Sequence, residues 1–322
     1  MKDGEKLKLK SSKINPKHKT TIGGQALIEG IMMRGPNDIS IAIRKPNNDI
    51  ELKVDKLNPI KNKYKFLGWP IIRGVVSLVE SLSIGTKALM YSAEFYEEEE
   101  AESDKETFTQ RVFKDKAQDV EMTLSVIISV VLAVGIFMIL PSFITNFAKS
   151  KIENHILLNL VEGLIRIIIF FIYVIAISKM EDIKRVFEYH GAEHKTIHCY
   201  ENEEELTVEN VKKYSILHPR CGTSFLFMVM IISVIVLSFF GWPNPLKRVL
   251  IRVLMFPVIA GISYEVNRFI GRSNSSFCYY ISLPGLMVQK IATVREPDDG
   301  QIEVAIKALE AVIPQNREDD KW

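Results

Sequence analysis

Residues 122–147 read MTLSVIISVVLAVGIFMILPSFITNF, a stretch without one charged side chain. About 20 consecutive apolar residues suffice for a helix to cross the hydrocarbon core of a bilayer, and this run exceeds that. Three more runs of similar length follow it. Residues 155–178 carry only Glu162 and Arg166, and residues 223–242 carry no charge. Residues 246–269 hold Lys247, Arg248 and Arg252 near their start and Glu265 and Arg268 near their end. The fold class is therefore an α-helical integral membrane protein with about four transmembrane helices. No buried charge pair and no broken helix is expected near mid-membrane, which ranks transport below enzymatic and scaffolding roles.

Lys and Arg near span ends favour the cytoplasm. Residues 179–220 hold Lys179, Lys184, Arg185, Lys195, Lys212, Lys213 and Arg220, and the N-terminal arm is also rich in lysine. The other two connections hold only Lys149 and Lys151, and Lys247 and Arg248. An even number of spans then places both termini and the segment 179–222 in the cytoplasm. The first 20 residues are polar with no apolar core, so no cleavable signal peptide is read there. A net charge of +2 gives no reason to expect a nucleic-acid partner; the bilayer is the partner that composition names. Cys199, Cys221 and Cys278 are an odd set without scaffold-like spacing and read as reduced thiols.

The chain divides by composition. Residues 1–20 form a loose polar arm. Residues 21–96 form a cytoplasmic β-hairpin region followed by an interfacial helix. Within them, GGQALIEGIMMRGP at 23–36 reads as a tight structural turn, since neither the P-loop nor the dinucleotide spacing is present. Residues 40–56 alternate through Ile41, Ile43, Ile50, Leu52 and Val54 around Pro46-Asn47-Asn48-Asp49, which predicts a hairpin with one buried face. Residues 66–95 suit an interfacial or re-entrant helix, because Gly68, Pro70, Gly74 and Gly85 interrupt them and Arg73 and Glu80 lie inside. Residues 97–120 are a charged linker, 121–178 the first two spans, 179–222 a His-rich segment and 223–270 the last two spans. In 271–322, Pro284-Gly285 marks a turn, 287–294 a strand, and 297–313 a helix with an apolar stripe. The soluble part is thus a small α+β unit.

The chemistry concentrates in residues 188–200, EYHGAEHKTIHCY. Residues four apart on a helix share a face, so His190 and His194 can offer two imidazole nitrogens to one metal ion. The order His-x-x-Glu-His is the inverted zinc-protease pattern, with Glu193 placed to activate a water. Eight residues of helix rise about 12 Å, so His190 and His198 cannot both bind one metal on an unbroken helix. The third ligand comes from elsewhere, or His194 and His198 form the pair; a helix broken at Gly191 would relax the limit. His218 and Cys221, just before the third span, are a workable ligand pair that antiparallel packing returns to the same face. The competing reading is an apolar stripe, Ile183, Phe187, His190, His194 and Ile197, whose histidines are hydrogen-bonded and face a partner helix. Glu265, at the spacing where such proteases place a further ligand, is expected instead to pair with Arg268.

GGQALIEGIMMRGP at 23–36, EYHGAEHKTIHCYE at 188–201, HPRCGTSF at 218–225 and TVREPDDGQIEVAIKALEAV at 293–312 together resemble the DUF1385 or YqhQ-like family of bacterial membrane proteins of unknown function. The resemblance runs from about residue 20 to the C-terminus. It implies a multi-span protein of the bacterial inner membrane described as a predicted metal-dependent enzyme, with His190, Glu193, His194, His198, His218 and Cys221 as the candidate set. Two functions follow. One is a cytoplasm-facing hydrolase in which Zn²⁺ or another divalent transition metal is held by His190, His194 and His218 or Cys221, with Glu193 as general base. The other is a scaffold or assembly factor for other membrane proteins, with a closed structural site on His194, His198, His218 and Cys221 or no metal at all.

Overall fold

The computed structural model describes residues 16–60, 64–96, 117–273 and 275–322, leaving aside the side chains of 117–122. The arm up to residue 15 and most of the acidic linker lie outside the described residues. The arm expected to be loose through residue 20 docks before that point: the Thr20 N–H donates to Glu201 Oε1 at 2.8 Å, and His18 Nε2 lies 2.7 Å from Asp320 Oδ1.

Four antiparallel strands form a meander, β1 (Gly23–Leu27), β2 (Gly30–Arg34), β3 (Asp38–Arg44) and β4 (Ile50–Lys56). The glycine-rich stretch expected as a turn is thus mostly strand. Only Ile28 and Glu29 turn, and Glu29 takes a positive φ of 47°. The expected hairpin is β3–β4, but its burial differs from the expectation. β3 is buried on both faces: Ile39, Ile41 and Ile43 pack with Leu27, Met32 and Ala88, while Ala42 on the other face joins Ile31 and Met33. In β4 the alternating Leu52 and Val54 are 43% and 47% exposed. The edge strand lies beyond the helices that cover β2 and β3, so alternation there marks no core.

Helix α1 (Ile72–Glu94) covers one face of the sheet through Ala88, Ile84 and Tyr91. The helices α5 (Glu181–Glu201) and α10 (Asp299–Glu310) cover the other with Tyr189, Ala192, Ile302, Ala305 and Leu309. Asp298 and Gln301 close a capping box that starts α10. Each fully buried Ile or Leu in this three-layer body contributes about 1.5–3 kcal/mol. At its other end α1 leaves the sheet, and Arg73 makes a two-point ion pair with Glu265 of helix α8 (Pro245–Arg272), Nε to Oε1 at 2.6 Å. Glu265 is an ion-pair partner as expected, with Arg73 in place of Arg268.

The remaining helices are α2 (Ala117–Val134), α3 (Leu140–Ala148), α4 (His155–Ile177), α6 (Val208–Lys212), α7 (Gly222–Ser238) and α9 (Ser276–Val288). Among the described residues three stretches are long and apolar enough to cross a membrane: Thr123–Ala148, His155–Ile177 and Pro245–Arg272. They mark a membrane protein. The stretch expected as the third span forms the shorter α7.

Two expectations fail in this region. The strand expected at 287–294 is helical, as α9 runs through Pro284-Gly285 into a π-helix, Gln289–Thr293. Its buried residues Cys278, Ser282, Gly285, Val288 and Ala292 recur at intervals of three and four, the period of a helix with one covered face. The first span stays helical throughout, as expected, but includes a π turn, Gly135–Ile139, next to Pro141, which has no N–H to give to the ladder. And a charge pair is buried among the spans: Glu162 Oε1 accepts from Arg166 Nη2 at 3.2 Å and is paired with Arg252. Arg252 Nη1 also donates to the Met138 carbonyl inside the π turn at 3.1 Å.

Candidate metal centre

Helix α5 begins with Glu181 and Asp182, acids that suit a helix N-terminus, and runs unbroken through Gly191. From Tyr189 onward nearly every residue is buried, so the helix enters the protein body with polar groups facing inward. Gly191 serves close approach rather than a break. A Cβ there would lie 1.9 Å from the Arg295 carbonyl oxygen, because the segment after the π-helix runs along α5 and the Arg295 N–H donates to the Phe187 carbonyl at 2.9 Å.

That segment and the loop before α7 aim the histidines. His190 Nδ1 is 2.9 Å from the Thr293 carbonyl, and His194 Nδ1 is 2.6 Å from the Ile216 carbonyl. Each carbonyl accepts from an Nδ1–H, which leaves both Nε2 atoms as lone-pair donors. His190 Nε2 lies 3.1 Å from Cys221 Sγ. His194 Nε2 is buried and makes no well-aligned hydrogen bond, its one available polar partner being the Cys221 sulfur that His190 also contacts. Ligand atoms of His190, His194 and Cys221 all fall within 4.8 Å of one another. A tetrahedral zinc with Zn–N near 2.0 Å and Zn–S near 2.3 Å spaces its N and S ligands at about 3.5 Å.

The electrostatics suit this donor set. Burial pulls the His194 imidazole down to about 4, so it is neutral at pH 7. Burial alone would raise the Cys221 thiol, but the neighbouring His194 and hydrogen bonds from Thr223 more than offset it, and the net shift is downward. Cys221 is also the N-cap of α7, where its sulfur accepts from the Thr223 N–H, a position that favours thiolate. Burial pushes the Glu193 carboxyl up to about 7; His190 and the Gly24 N–H hold it back, and Cys221 adds to the rise. Glu193 Oε1 accepts from Gly24 N–H at 2.9 Å, and a Cβ on Gly24 would meet the Glu193 carboxyl carbon at 3.0 Å.

A cavity of about 250 Å³ opens onto these groups, lined by His190, Glu193, His194, His218 and Cys221, by residues 20–25 at the sheet edge, and by Arg34 and Trp322. His190, Glu193, His194, His218 and Cys221 are therefore brought to one place. His198, a candidate ligand from the sequence, is not among them: its Nε2 bonds the Leu217 carbonyl at 3.0 Å. It belongs to a second group with Glu201 and His218, again with ligand atoms within 4.8 Å. Arg220 already supplies a cation to that group, pairing with Glu201 and donating to His218 Nε2 at 3.2 Å. Burial, then the nearby His198 and Arg220, hold His218 well below the usual imidazole range. Glu201, Arg220, Trp322 and Gln289, whose amide holds the backbone N–H and C=O of His218, had no signal in the spacing of motifs.

A family model described as "Protein of unknown function (DUF1385)" matches residues 69–315. The chain belongs to this family. The uncharacterized protein YqhQ of Bacillus subtilis (strain 168) is 35% identical over 314 residues, covering 94% of this chain and 97% of that relative. No solved structure matches. The resemblance noted from the motifs is borne out, and the matched region contains every donor of the candidate centre.

Proposed function

We propose that the protein is a membrane-bound hydrolase that uses a divalent transition metal, with zinc the best fit to a donor set of two imidazoles and a thiolate. His190 Nε2, His194 Nε2 and Cys221 Sγ hold the ion. The observation that carries this reading is the bare, buried Nε2 of His194. A structural histidine in a packed interior satisfies both ring nitrogens, whereas this one spends only Nδ1 and turns its lone pair toward a second imidazole and a sulfur.

Catalysis is favoured over a structural clamp by the cavity. Structural zinc closes its coordination with four protein ligands, and catalytic zinc keeps a position for water. Three donors beside an opening of about 250 Å³ match the second case. A metal there would lower the pKa of its water toward neutrality. Glu193, lining the same cavity and held at the sheet edge by Gly24, is the residue that would serve there as general base. The architecture around it is four spans, α7 being the short one, with both termini and the centre on the cytoplasmic side of a bacterial inner membrane; the excess of Lys and Arg in residues 179–220 supports that orientation.

The test is Glu193→Gln in zinc-loaded protein assayed against fluorogenic peptides and aryl esters. Retained zinc with turnover reduced 10²-fold or more is expected. Turnover in a zinc-free His194→Ala protein equal to wild type would overturn the proposal.

A further inference from the structure

A second cluster of charged side chains is buried on the side of the molecule built from the apolar helices. Glu162 is 1% exposed, Arg248 and Arg252 are 5% exposed each, and the Arg166 side chain is nearly as buried. Three guanidiniums face one carboxylate, a net charge of +2. Arg252 and Arg166 share Glu162 Oε1, and Arg166 Nη1 donates to Ser233 Oγ at 3.0 Å. Arg248, four residues before Arg252 on the same helix face, makes no ion pair among the described residues. Its guanidinium carbon sits 4.1 Å from the centre of the Trp242 ring.

The unpaired atoms are mostly donors. Arg248 Nε and Nη1, Arg166 Nε and the Trp242 indole N–H are buried without an acceptor, against one unpaired acceptor, Glu162 Oε2. Water could accept from such groups but cannot cancel the charge, and an unneutralised pair of cations is costly in a low dielectric. An anion with several acceptor oxygens meets both needs, and guanidinium is the side chain best matched to phosphate. The depth agrees: Arg248 lies four residues from the Asn244 cap of α8, about 6 Å of helix. The helix ends there are held together by Asn159 of α4, whose amide donates to the Gly241 carbonyl between α7 and α8 at 3.2 Å. Around this end Phe239, Leu246 and Leu250 point outward as exposed apolar side chains, a surface suited to acyl chains.

We propose that Arg248, with Trp242 beside it, binds a net-anionic phosphate group at the end of the helical bundle formed by the start of α8, either the headgroup of an anionic phospholipid or free inorganic phosphate. This site is independent of the proposed metal centre. The experiment is native mass spectrometry and thermal unfolding of delipidated full-length protein titrated with phosphatidylglycerol, phosphatidylcholine or inorganic phosphate, for wild type, Arg248→Gln and the exposed-side control Lys247→Gln. Wild type and Lys247→Gln are expected to retain phosphatidylglycerol at least tenfold better than phosphatidylcholine, with that preference lost in Arg248→Gln. Stabilisation by inorganic phosphate alone would assign the site to the free anion. Equal retention of anionic and zwitterionic lipid by wild type, with no response to phosphate, overturns the proposal without recourse to any variant. So does an undiminished preference in Arg248→Gln.

Discussion

Among the described residues, two of the regions that bury ionisable groups are short of opposite things. At the centre on α5 lone pairs are in excess: both Nδ1 atoms donate to carbonyls, so both Nε2 atoms need a donor, and the single Cys221 thiol can serve only one of them. At the cluster between α4 and α8 the unpaired atoms are mostly N–H groups on cations. The first lacks a cation and the second an anion. Buried polar groups are otherwise satisfied in native proteins, so the sign of what is missing can be read from the orphaned atoms.

The comparison breaks most visibly at the metal. His194→Ala should reduce bound zinc from about one equivalent to less than a tenth by elemental analysis, while Arg248→Gln leaves zinc unchanged; a similar loss in both would mean that the two regions are coupled. Gly191→Ala comes next. Its methyl group would drive the Arg295 carbonyl off α5 and move Thr293 away from His190, so a loss of about 1–3 kcal/mol in stability and a tenfold weaker zinc affinity are expected. Unchanged affinity would show that the Thr293 carbonyl does not orient His190.

The pH dependence separates the regions further. Burial lowers the pKa values of His198 and His218 below 6.5 in the folded chain. The unfolded chain therefore takes up protons first as pH falls. Stability is complete above about 6.5 and declines below it, by up to about 1.4 kcal/mol per pH unit for each histidine, until the folded-state values are reached. The thermal midpoint of metal-free protein should fall between pH 7.5 and 5.5, and a flat profile would contradict the burial of these rings. The sheet supplies a last contrast. Ile43→Ala should cost about 2–5 kcal/mol and Leu52→Ala within about 0.5 kcal/mol, since the first is buried and the second lies on the exposed edge strand.

That last pair shows what was legible in the sequence. Helical spacing placed His190, Glu193 and His194 together because a continuous helix has one geometry, and adjacency to a span returned Cys221 to them. Alternation in 50–56 looked the same as in 40–43, because pattern reports periodicity and not whether another layer reaches the strand. The helical stretch 287–293 reads as a strand for a related reason: a short apolar run carries either period until its preceding turns are known. Thr293 and Ile216 act through main-chain carbonyls, which no residue type announces. The Arg cluster was visible as charges near the ends of apolar runs, but the contact of Glu162 with Arg252 exists only once the helices pack and the long arginine reaches across.

The central claim is that two imidazoles and one thiolate converge to grip a cation. X-ray absorption at the zinc edge of purified, zinc-loaded protein tests it most directly. The account predicts a first shell of two imidazole nitrogens, one sulfur and a light-atom ligand from water, with the sulfur absent in Cys221→Ser. A wild-type shell without sulfur, or a protein that binds no zinc under these conditions, would contradict it.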